Sequence, residues 1–262
     1  MVALDDPIWK EVSSAGNDVD ELLYCLMNGE GDFREDMECL AEDLSCQFSF
    51  YDATCYVLPH LAALCSTLSL EDKVFLISQI GPAIAAEAYQ PNDPILPGTE
   101  AYQEFEEGLR GLRLETKSVI TDPAIAAILG SDLRWGQDFA LAALAILGDR
   151  VHAYGLYFMF DFEWERGLAA CSCGWETTEL AIFDDRDRDF LDMHPATIAP
   201  WDGKFDNEPV WFQGLVKLIG DQEFLQALPW LYGTCTCPDC KKQEAYWKKV
   251  GRRLRHEHLG HD

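Results

Sequence analysis

The sequence predicts a mainly α-helical fold, a solenoid of helix pairs with a small β-hairpin and a zinc knuckle in its C-terminal half. Three observations lead to this prediction. Apolar residues recur with helical spacing through most of residues 1–150. Residues 160–183 instead contain stretches in which apolar and polar side chains alternate, as they do in strands. Two groups of closely spaced cysteines, at 171–173 and 235–240, have spacings typical of zinc ligands.

The first two helices are predicted on either side of a turn at residues 28–32. One apolar face of the first helix has the spacing i, i+3, i+4, i+7, i+8, and it consists of Val19, Leu22, Leu23, Leu26 and Met27. The second helix repeats the pattern with Met37, Leu40, Ala41 and Leu44. Each of these helices therefore has one side to bury and one side to expose.

The next pair of helices is predicted to start at Asp52 and Ser69. The third helix faces inward with Val57, Leu61, Leu64 and Leu68. Pro59 lies within that pattern, so a kink or an early start is expected. Ser69 and Asp72 have capping-box spacing, with Asp in place of Glu, ahead of a fourth apolar face. That face consists of Val74, Ile77, Ile80, Ile84 and Ala88.

A loop with three prolines at residues 90–98 precedes the remaining helices of this half. The fifth helix has Phe105, Leu109, Leu112, Thr116 and Val119 on one face. Asp122 and Pro123 are expected to be the N-cap and the first residue of another helix. Residues 135–147 are apolar on almost all sides, which predicts a helix sandwiched between others. Helix pairs that bury one face and leave another for the next pair form an α-solenoid.

The character of the sequence changes after Gly148. Phe160, Phe162 and Trp164 alternate with acidic residues and predict a strand, and a hairpin is expected to turn at Gly174 between 168–173 and 175–183. Residues 193–208 predict a loop. Helices are expected again at 211–219, after Asp221, and in a basic segment at 247–254. We therefore divide the chain into residues 1–150, N-terminal helical repeats, and 151–262, C-terminal helical repeats with an inserted Cys-rich hairpin, which together can form one continuous domain.

Ten cysteines are present, and the first thirty residues have no pattern of a signal peptide. These features predict a cytoplasmic protein whose thiols stay reduced. Five cysteines occur singly in apolar helical patterns, where a cysteine is expected to pack as a small hydrophobic residue. They are Cys25, Cys39, Cys46, Cys55 and Cys65.

The other five cysteines are the strongest chemical feature of the sequence. Zinc binds four thiolates at tetrahedral corners, and short turns such as Cys-x-x-Cys supply ligands in pairs. We expect Zn²⁺ to be bound by Cys171, Cys173, Cys237 and Cys240, with Cys235 as a possible substitute ligand. Four thiolates leave no position for water, so the site is predicted to be structural. The alternative is a set of unpaired thiols or a redox pair.

A resemblance to known proteins supports the same fold. Phe50-Tyr51-Asp52-Ala53-Thr54, followed by Val57, Pro59 and Leu61, resembles a segment of bacterial HEAT-like repeat proteins. The Cys-rich pair Cys237 and Cys240, with residues 228–233 leading into it, resembles the zinc knuckles that some of those proteins contain. The resemblance spans about residues 20–250 and implies a HEAT-like α-solenoid with a Cys zinc knuckle. It implies a fold more than a function.

The charge of the chain is strongly acidic. The formal net charge is −26, and residues 1–240 alone hold 43 acidic and 13 basic side chains. Such a protein repels nucleic acid and anionic membranes and attracts basic partners. No apolar run is long enough to cross a bilayer. The alternative explanation is that the acidic side chains serve only solubility.

The densest acidic patch is the partner-binding site that the sequence predicts. It consists of Asp184, Asp185, Asp187 and Asp189, interrupted by two arginines. The patch lacks the glycine and the terminal glutamate of a calcium loop, so a calcium site is not expected. A solvated turn that pairs its own charges is the alternative.

No catalytic or nucleotide-binding motif is present, so no catalytic residue is assigned. The sequence favours an acidic protein-binding module, of the kind that inhibits a basic toxin or nuclease as an immunity protein does. Two alternatives remain open. One is an enzyme that uses loop carboxylates in the region from Asp161 to Asp206, and the other is a general scaffold. The oligomeric state is not predicted.

Overall fold

The computed structural model of the protein describes residues 1–16, 18–46, 49–89, 98–161, 167–170, 176–180, 198–201, 207–237 and 240–245. These residues are mainly α-helical, which confirms the predicted class. They divide into two compact units, Met1–Arg150 and Val151–Asp262, which are described separately below. None of the described helices is both long enough and apolar enough to cross a bilayer.

The described residues of the first unit form seven α-helices and two short 3-10 segments. Its elements are the 3-10 helix Pro7–Lys10, α1 Val19–Asn28, α2 Phe33–Ser45, α3 Ala53–Cys65, α4 Leu70–Ala86, the 3-10 helix Glu87–Tyr89, α5 Glu100–Thr121, α6 Ile125–Leu129 and α7 Leu133–Leu147. Helix α8, Arg150–Asp161, starts at the last residue of this unit. The helices lie where the pairs were predicted, but three boundaries differ: α3 ends at Cys65, before the expected Leu68, α4 ends at Ala86, before the expected Ala88, and α6 begins at Ile125, two residues after the expected proline start.

Side-chain caps fix where several of these helices begin. The Asp32 carboxylate accepts the backbone N–H groups of the first turn of α2, and Asp132 does the same for α7. Ser69 accepts the N–H of Asp72 at the start of α4, as the sequence predicts. Helix α1 ends at Gly29, whose φ of 67° is the left-handed conformation that glycine adopts without a steric cost.

The helices of the first unit alternate between two layers. Helix α3 lies between α1 and α5, and helix α4 lies between α2 and α7. Helices α3 and α4 therefore have neighbours on several sides, which explains why they are apolar nearly all round. Residues 53–61 of α3 are all buried, including Pro59, and residues 139–146 of α7 are buried as predicted for a sandwiched helix.

Small residues bring α5 close to α3. A Cβ atom added to Gly108 would lie 2.5 Å from the Cβ of Leu58 and 2.6 Å from the backbone nitrogen of Pro59. A Cβ at Gly111 would lie 2.7 Å from the Cβ of Ala62. Real side chains do not approach so closely, so the packing of these two helices requires glycine at both positions.

The second unit combines helices with two small sheets. After α8, its elements are β1 Gly167–Ala170, β2 Glu176–Leu180, β3 Ile198–Ala199, α9 Asn207–Ile219, α10 Gln222–Leu231, β4 Thr234–Thr236 and β5 Gln243–Ala245. Strands β1 and β2 are antiparallel, with Ala170 opposite Glu176, so the expected hairpin is present. Strands β3, β4 and β5 form a second antiparallel sheet in that order.

Aromatic rings form the described core of the second unit. Phe212 of α9 packs edge-on against Phe224 of α10, with ring centroids 5.7 Å apart, and it also contacts Tyr232. The ring of His152 on α8 meets Tyr232 edge-on at 4.6 Å. The start of α10 is capped by Asp221, whose carboxylate accepts the N–H of Phe224, as predicted.

Two sequence expectations for this half need correction. Phe160 and Asp161 belong to helix α8 rather than to a strand, because the helical backbone that starts at Arg150 continues through them. The expected loop at 193–208 contains strand β3 and the first residues of α9. The strand expected at 162–165 and the basic helix expected at 247–254 lie outside the described residues.

Candidate functional site

A tight turn between β4 and β5 holds two of the clustered cysteines. Cys237 directly follows β4, and Cys240 lies three residues before β5. The N–H of Cys237 donates to the carbonyl oxygen of Lys242 at 3.0 Å, and the N–H of Lys241 donates to the carbonyl oxygen of Cys237 at 3.0 Å. These two bonds bring the ends of the Cys-x-x-Cys segment together.

The turn closes through a backbone conformation that is rare for a residue with a side chain. Lys241 has a φ of 60°, in the left-handed region where glycine is the usual residue. A non-glycine residue keeps this conformation only when its surroundings require it. The chain therefore reverses direction immediately after Cys240 and returns as β5.

Cys235 and Cys237 both face the interior. They are separated by one residue along an extended backbone, so their side chains project from the same face, and both are fully buried. Cys235 lies within β4, opposite Ile198 of β3 and Glu244 of β5. Cys240, in contrast, is exposed.

The other predicted ligands, Cys171 and Cys173, lie outside the described residues. They belong to the five residues that connect Ala170 of β1 with Glu176 of β2, two residues that are paired across the hairpin. Within the described part of the chain, no three Cys, His, Asp or Glu side chains are grouped to hold a metal ion. Cys235, Cys237 and Cys240 therefore do not make a three-ligand site among themselves.

The five single cysteines behave in two ways. Cys55 and Cys65 on α3 are fully buried, which confirms their expected packing role. Burial raises the pKa of both thiols, that of Cys65 to about 12, so both stay protonated. The expectation was wrong for Cys39 and Cys46, which are exposed because they lie on the outer side and at the end of α2. Cys25 is partly exposed.

Helices α1 and α2 have a strongly acidic outer surface. Its exposed carboxylates are Asp18, Glu21, Glu30, Asp32, Glu35, Glu38 and Glu42, and we call this set the acidic hairpin surface. The one basic residue between Asp18 and Cys46 is Arg34. Its guanidinium lies 2.7 Å from Glu71 of α4 and stacks over the rings of Phe75 and Trp135, so it is directed toward α4 and α7.

The acidic hairpin surface is not neutralised by the described part of the chain. None of its seven carboxylates forms an ion pair with a described basic side chain. The negative charge of this surface also affects the neighbouring thiol of Cys25. Burial raises the pKa of the Cys25 thiol, and the negative charges of Asp36, Glu30 and Glu21 raise it further.

One large aromatic side chain is exposed among these carboxylates. Tyr24 is 48% exposed, three residues after Glu21 and therefore on the same side of α1. Tyrosine at a surface offers an apolar ring with a polar end, which is why it is frequent in protein interfaces. This surface was not predicted from the sequence. The run of acidic residues from Glu30 to Asp43, with a single arginine, was the pattern that indicates it.

Two predicted acidic regions lie outside the described residues. They are the patch of Asp184, Asp185, Asp187 and Asp189, and most of the region between Asp161 and Asp206 in which catalytic carboxylates were considered. Asp161, at one end of the second region, is the last residue of α8.

Comparisons of the chain with protein-family models, with curated proteins and with solved structures returned no match.

Proposed function

We propose that this protein is an acidic protein-binding module that captures a basic protein. The partner class that fits best is a basic toxin or nuclease, which the module would neutralise as an inhibitor or immunity protein does. The single observation that carries the proposal is the acidic hairpin surface, seven exposed carboxylates that no described basic side chain neutralises. Tyr24 supplies an aromatic contact within it.

Electrostatics explain why a binder would keep such a surface. Residues 1–150 hold 27 acidic and 8 basic side chains, so the first unit repels itself and gains no stability from this excess. The same field accelerates the encounter with a positively charged protein, and it rejects nucleic acid and anionic membranes. An excess of negative charge that lowers the stability of the protein but favours association indicates selection for binding a basic partner rather than for packing of the fold.

The order of the helices supports a solenoid as the scaffold of this surface. In a solenoid of helix pairs, the first helix of each pair packs on the first helix of the next, and second helices pack on second helices. The contacts of α1 with α3 with α5, and of α2 with α4 with α7, follow this order. The proposal therefore extends to a HEAT-like arrangement in which α1 and α2 are the first pair.

A pull-down from the source cells, at about 50 mM and about 500 mM NaCl, tests the proposal, because salt at the higher concentration screens charges beyond a few Å. The expected result is one basic protein, retained in near-stoichiometric amount at low salt and weakened at high salt. Retention of no protein, or of an acidic or neutral partner that is insensitive to salt, would contradict the proposal. The latter result would favour a general scaffold.

Matched charge-reversal variants show whether the acidic hairpin surface is used. Glu38→Lys with Glu42→Lys changes two exposed carboxylates one helical turn apart on α2. The control is Glu107→Lys with Glu223→Lys, which alters the net charge equally at exposed positions of α5 and α10. We expect the first pair to abolish retention of the basic partner and the second pair to weaken it slightly.

A further inference from the structure

We propose that the first unit contains a guanidinium-binding site, which Arg34 fills in the free protein and which an arginine of a basic partner can take over. The site is formed by Phe75, Trp135 and Glu71. Its existence does not depend on the proposed function. Only the takeover rests on that function, because it needs a basic protein at the acidic hairpin surface.

The side chain of Arg34 shows how the site holds a guanidinium. Its Cζ atom lies over two aromatic rings, 5.1 Å from the centroid of Phe75 and 5.4 Å from that of Trp135. The two rings are in edge contact, with centroids 6.4 Å apart. One guanidinium nitrogen donates to a carboxylate oxygen of Glu71 at 2.7 Å and lies 3.8 Å from a carboxylate oxygen of Asp72. Aromatic rings and a carboxylate that meet at one point are the groups that bind a planar cation.

The chemistry of this site favours a guanidinium over an ammonium ion. A guanidinium is planar, so it can lie against a ring and donate to a carboxylate from the same position. It is also more weakly hydrated than an ammonium ion, so it loses less when it leaves water for the rings. We therefore expect arginine side chains, and not lysine side chains, to be the ligands of this site.

Arg34 occupies the site although a carboxylate of its own helix is within reach. Glu38 lies four residues later on α2, the spacing at which oppositely charged side chains pair along a helix. Arg34 is nevertheless directed toward α4 and α7, where it contacts Glu71 and the two rings. The site therefore attracts a guanidinium more strongly than an exposed carboxylate does.

The occupant can be exchanged because the site opens to solvent. The side chains of Arg34 and Glu71 are 47% and 56% exposed, and ion pairs between exposed groups are weak. Arg34 lies on the first turn of α2, between Asp32 and Glu35 of the acidic hairpin surface. A basic protein bound at that surface would bring its own arginines to the site. The displaced Arg34 would then pair with the carboxylate one turn later on α2.

Binding of a small cation to an emptied site tests the inference without a partner. Arg34→Ala removes the occupant and keeps the two rings and Glu71. In an NMR titration, we expect methylguanidinium to shift the Trp135 indole signal of this variant saturably and to bind at least about fivefold more tightly than methylammonium. The wild type should show no saturable shift, because Arg34 fills its site. A variant that binds neither cation, or both equally, would overturn the inference.

Two further variants locate the bound cation. Arg34→Ala with Glu71→Gln lacks the carboxylate, so it should bind methylguanidinium more weakly than Arg34→Ala alone. The matched control is Arg110→Ala, which removes an exposed arginine of α5 that forms no ion pair or ring contact with the described residues. It should behave as the wild type does. A saturable shift in this control equal to that in Arg34→Ala would overturn the site.

The takeover is tested on the wild type with an oligoarginine and an oligolysine peptide of about ten residues, at about 50 mM NaCl, where charge attraction is only partly screened. A peptide held at the acidic hairpin surface presents its side chains at a high local concentration, which free methylguanidinium lacks. Both peptides should bind, but only oligoarginine should shift the Trp135 indole signal and the Nε–H signal of Arg34.

The peptide results separate the takeover from the proposed function. Binding of both peptides with the same effect on Trp135 and Arg34 would overturn the takeover. If neither peptide binds, the proposed function fails, whereas methylguanidinium binding by Arg34→Ala still supports the site.

Discussion

Gly108 of α5 lies against Leu58 of α3 so closely that a Cβ on the glycine would be 2.5 Å from the Leu58 Cβ. The next closest atoms belong to the backbone at Leu58 and Pro59, both at 2.6 Å. A flexible side chain can rotate away from a new methyl group, but a helix backbone has to move as a whole. This contact therefore sets the distance between α3, the central helix of its layer, and the neighbouring helix α5.

Substitution of this glycine should destabilise the first unit. Gly108→Ala normally stabilises a helix by about 0.5–1 kcal/mol through propensity. Here the methyl group overlaps the α3 backbone, and overpacking of a core costs roughly 1–3 kcal/mol. We expect a net loss of free energy of unfolding, measured by urea denaturation and by faster hydrogen exchange at the amides of α3.

The matched control is Gly214 in α9. No atom lies within 4 Å of a Cβ built on it, and the residue is exposed. Gly214→Ala should therefore stabilise its helix by about 0.5–1 kcal/mol through propensity alone. A stabilising effect of the alanine at position 108, equal to that at position 214, would show that the approach of α5 to α3 is not tight.

Arg34 should stabilise the first unit mainly through its aromatic neighbours. The guanidinium carbon lies 5.1 Å from the Phe75 ring centroid and 5.4 Å from that of Trp135. Such contacts are worth about 0.5–1 kcal/mol at exposed sites. The ion pair with Glu71 is about half exposed on both sides and adds little.

Two variants separate these contributions. Arg34→Ala removes both the stacking and the ion pair, and we expect it to lower the free energy of unfolding by about 1 kcal/mol. Glu71→Gln keeps the stacking, and its effect should stay below about 0.5 kcal/mol. Equal losses in chemical denaturation would indicate that the ion pair is the dominant interaction.

The stability of the first unit should fall in mild acid because of His60. Its buried ring donates from Nε2 to the carbonyl oxygen of Val2 at 2.8 Å and lies beside Trp9. Burial lowers the pKa of His60, while the bond to Val2 and the charge of Glu104 oppose the shift in part. Because the pKa of His60 is lower in the folded state than in the unfolded state, the unfolded chain binds more protons in mild acid. The free energy of unfolding therefore decreases as the pH falls from about 6.5.

The comparison of wild type with His60→Gln isolates this effect, because buried carboxyls also titrate. Burial raises the pKa of Glu87, and that shift has the opposite sign of pH dependence. The difference in free energy of unfolding between the two proteins should favour the variant progressively from pH 7 to pH 5. A difference that is constant over this range would mean that His60 does not titrate as its burial requires.

Local patterns in the sequence predicted much of the helical fold. The apolar spacing of α1, α2 and α5 and the caps at Ser69 and Asp221 are present as expected, because each depends on residues within one or two turns. The prediction was wrong at Phe160, where alternation over a few residues also fits the end of a helix. Short apolar patterns do not distinguish a strand from a helix.

Other features depend on contacts that no local pattern contains. The glycine contact between Gly108 and Leu58 involves residues fifty positions apart, and helical spacing alone gives no indication of it. The exposure of Cys39 and Cys46 depends on which side of α2 meets α4. The acidic hairpin surface was detectable as a charge run. Only the structure shows that Arg34 pairs with Glu71 of α4 instead of with the carboxylates of this surface.

The affinity of the Glu38→Lys, Glu42→Lys variant for the captured basic protein, measured by calorimetry at low and high salt, tests the central claim most directly. Our account predicts that the wild type binds tightly with a strong salt dependence, and that the double variant loses at least about tenfold in affinity, or 1.4 kcal/mol. The control with Glu107→Lys and Glu223→Lys should stay within about threefold of the wild type. Unchanged affinity of the α2 variant, with a large loss in the control, would contradict the assignment of the acidic hairpin surface as the binding site.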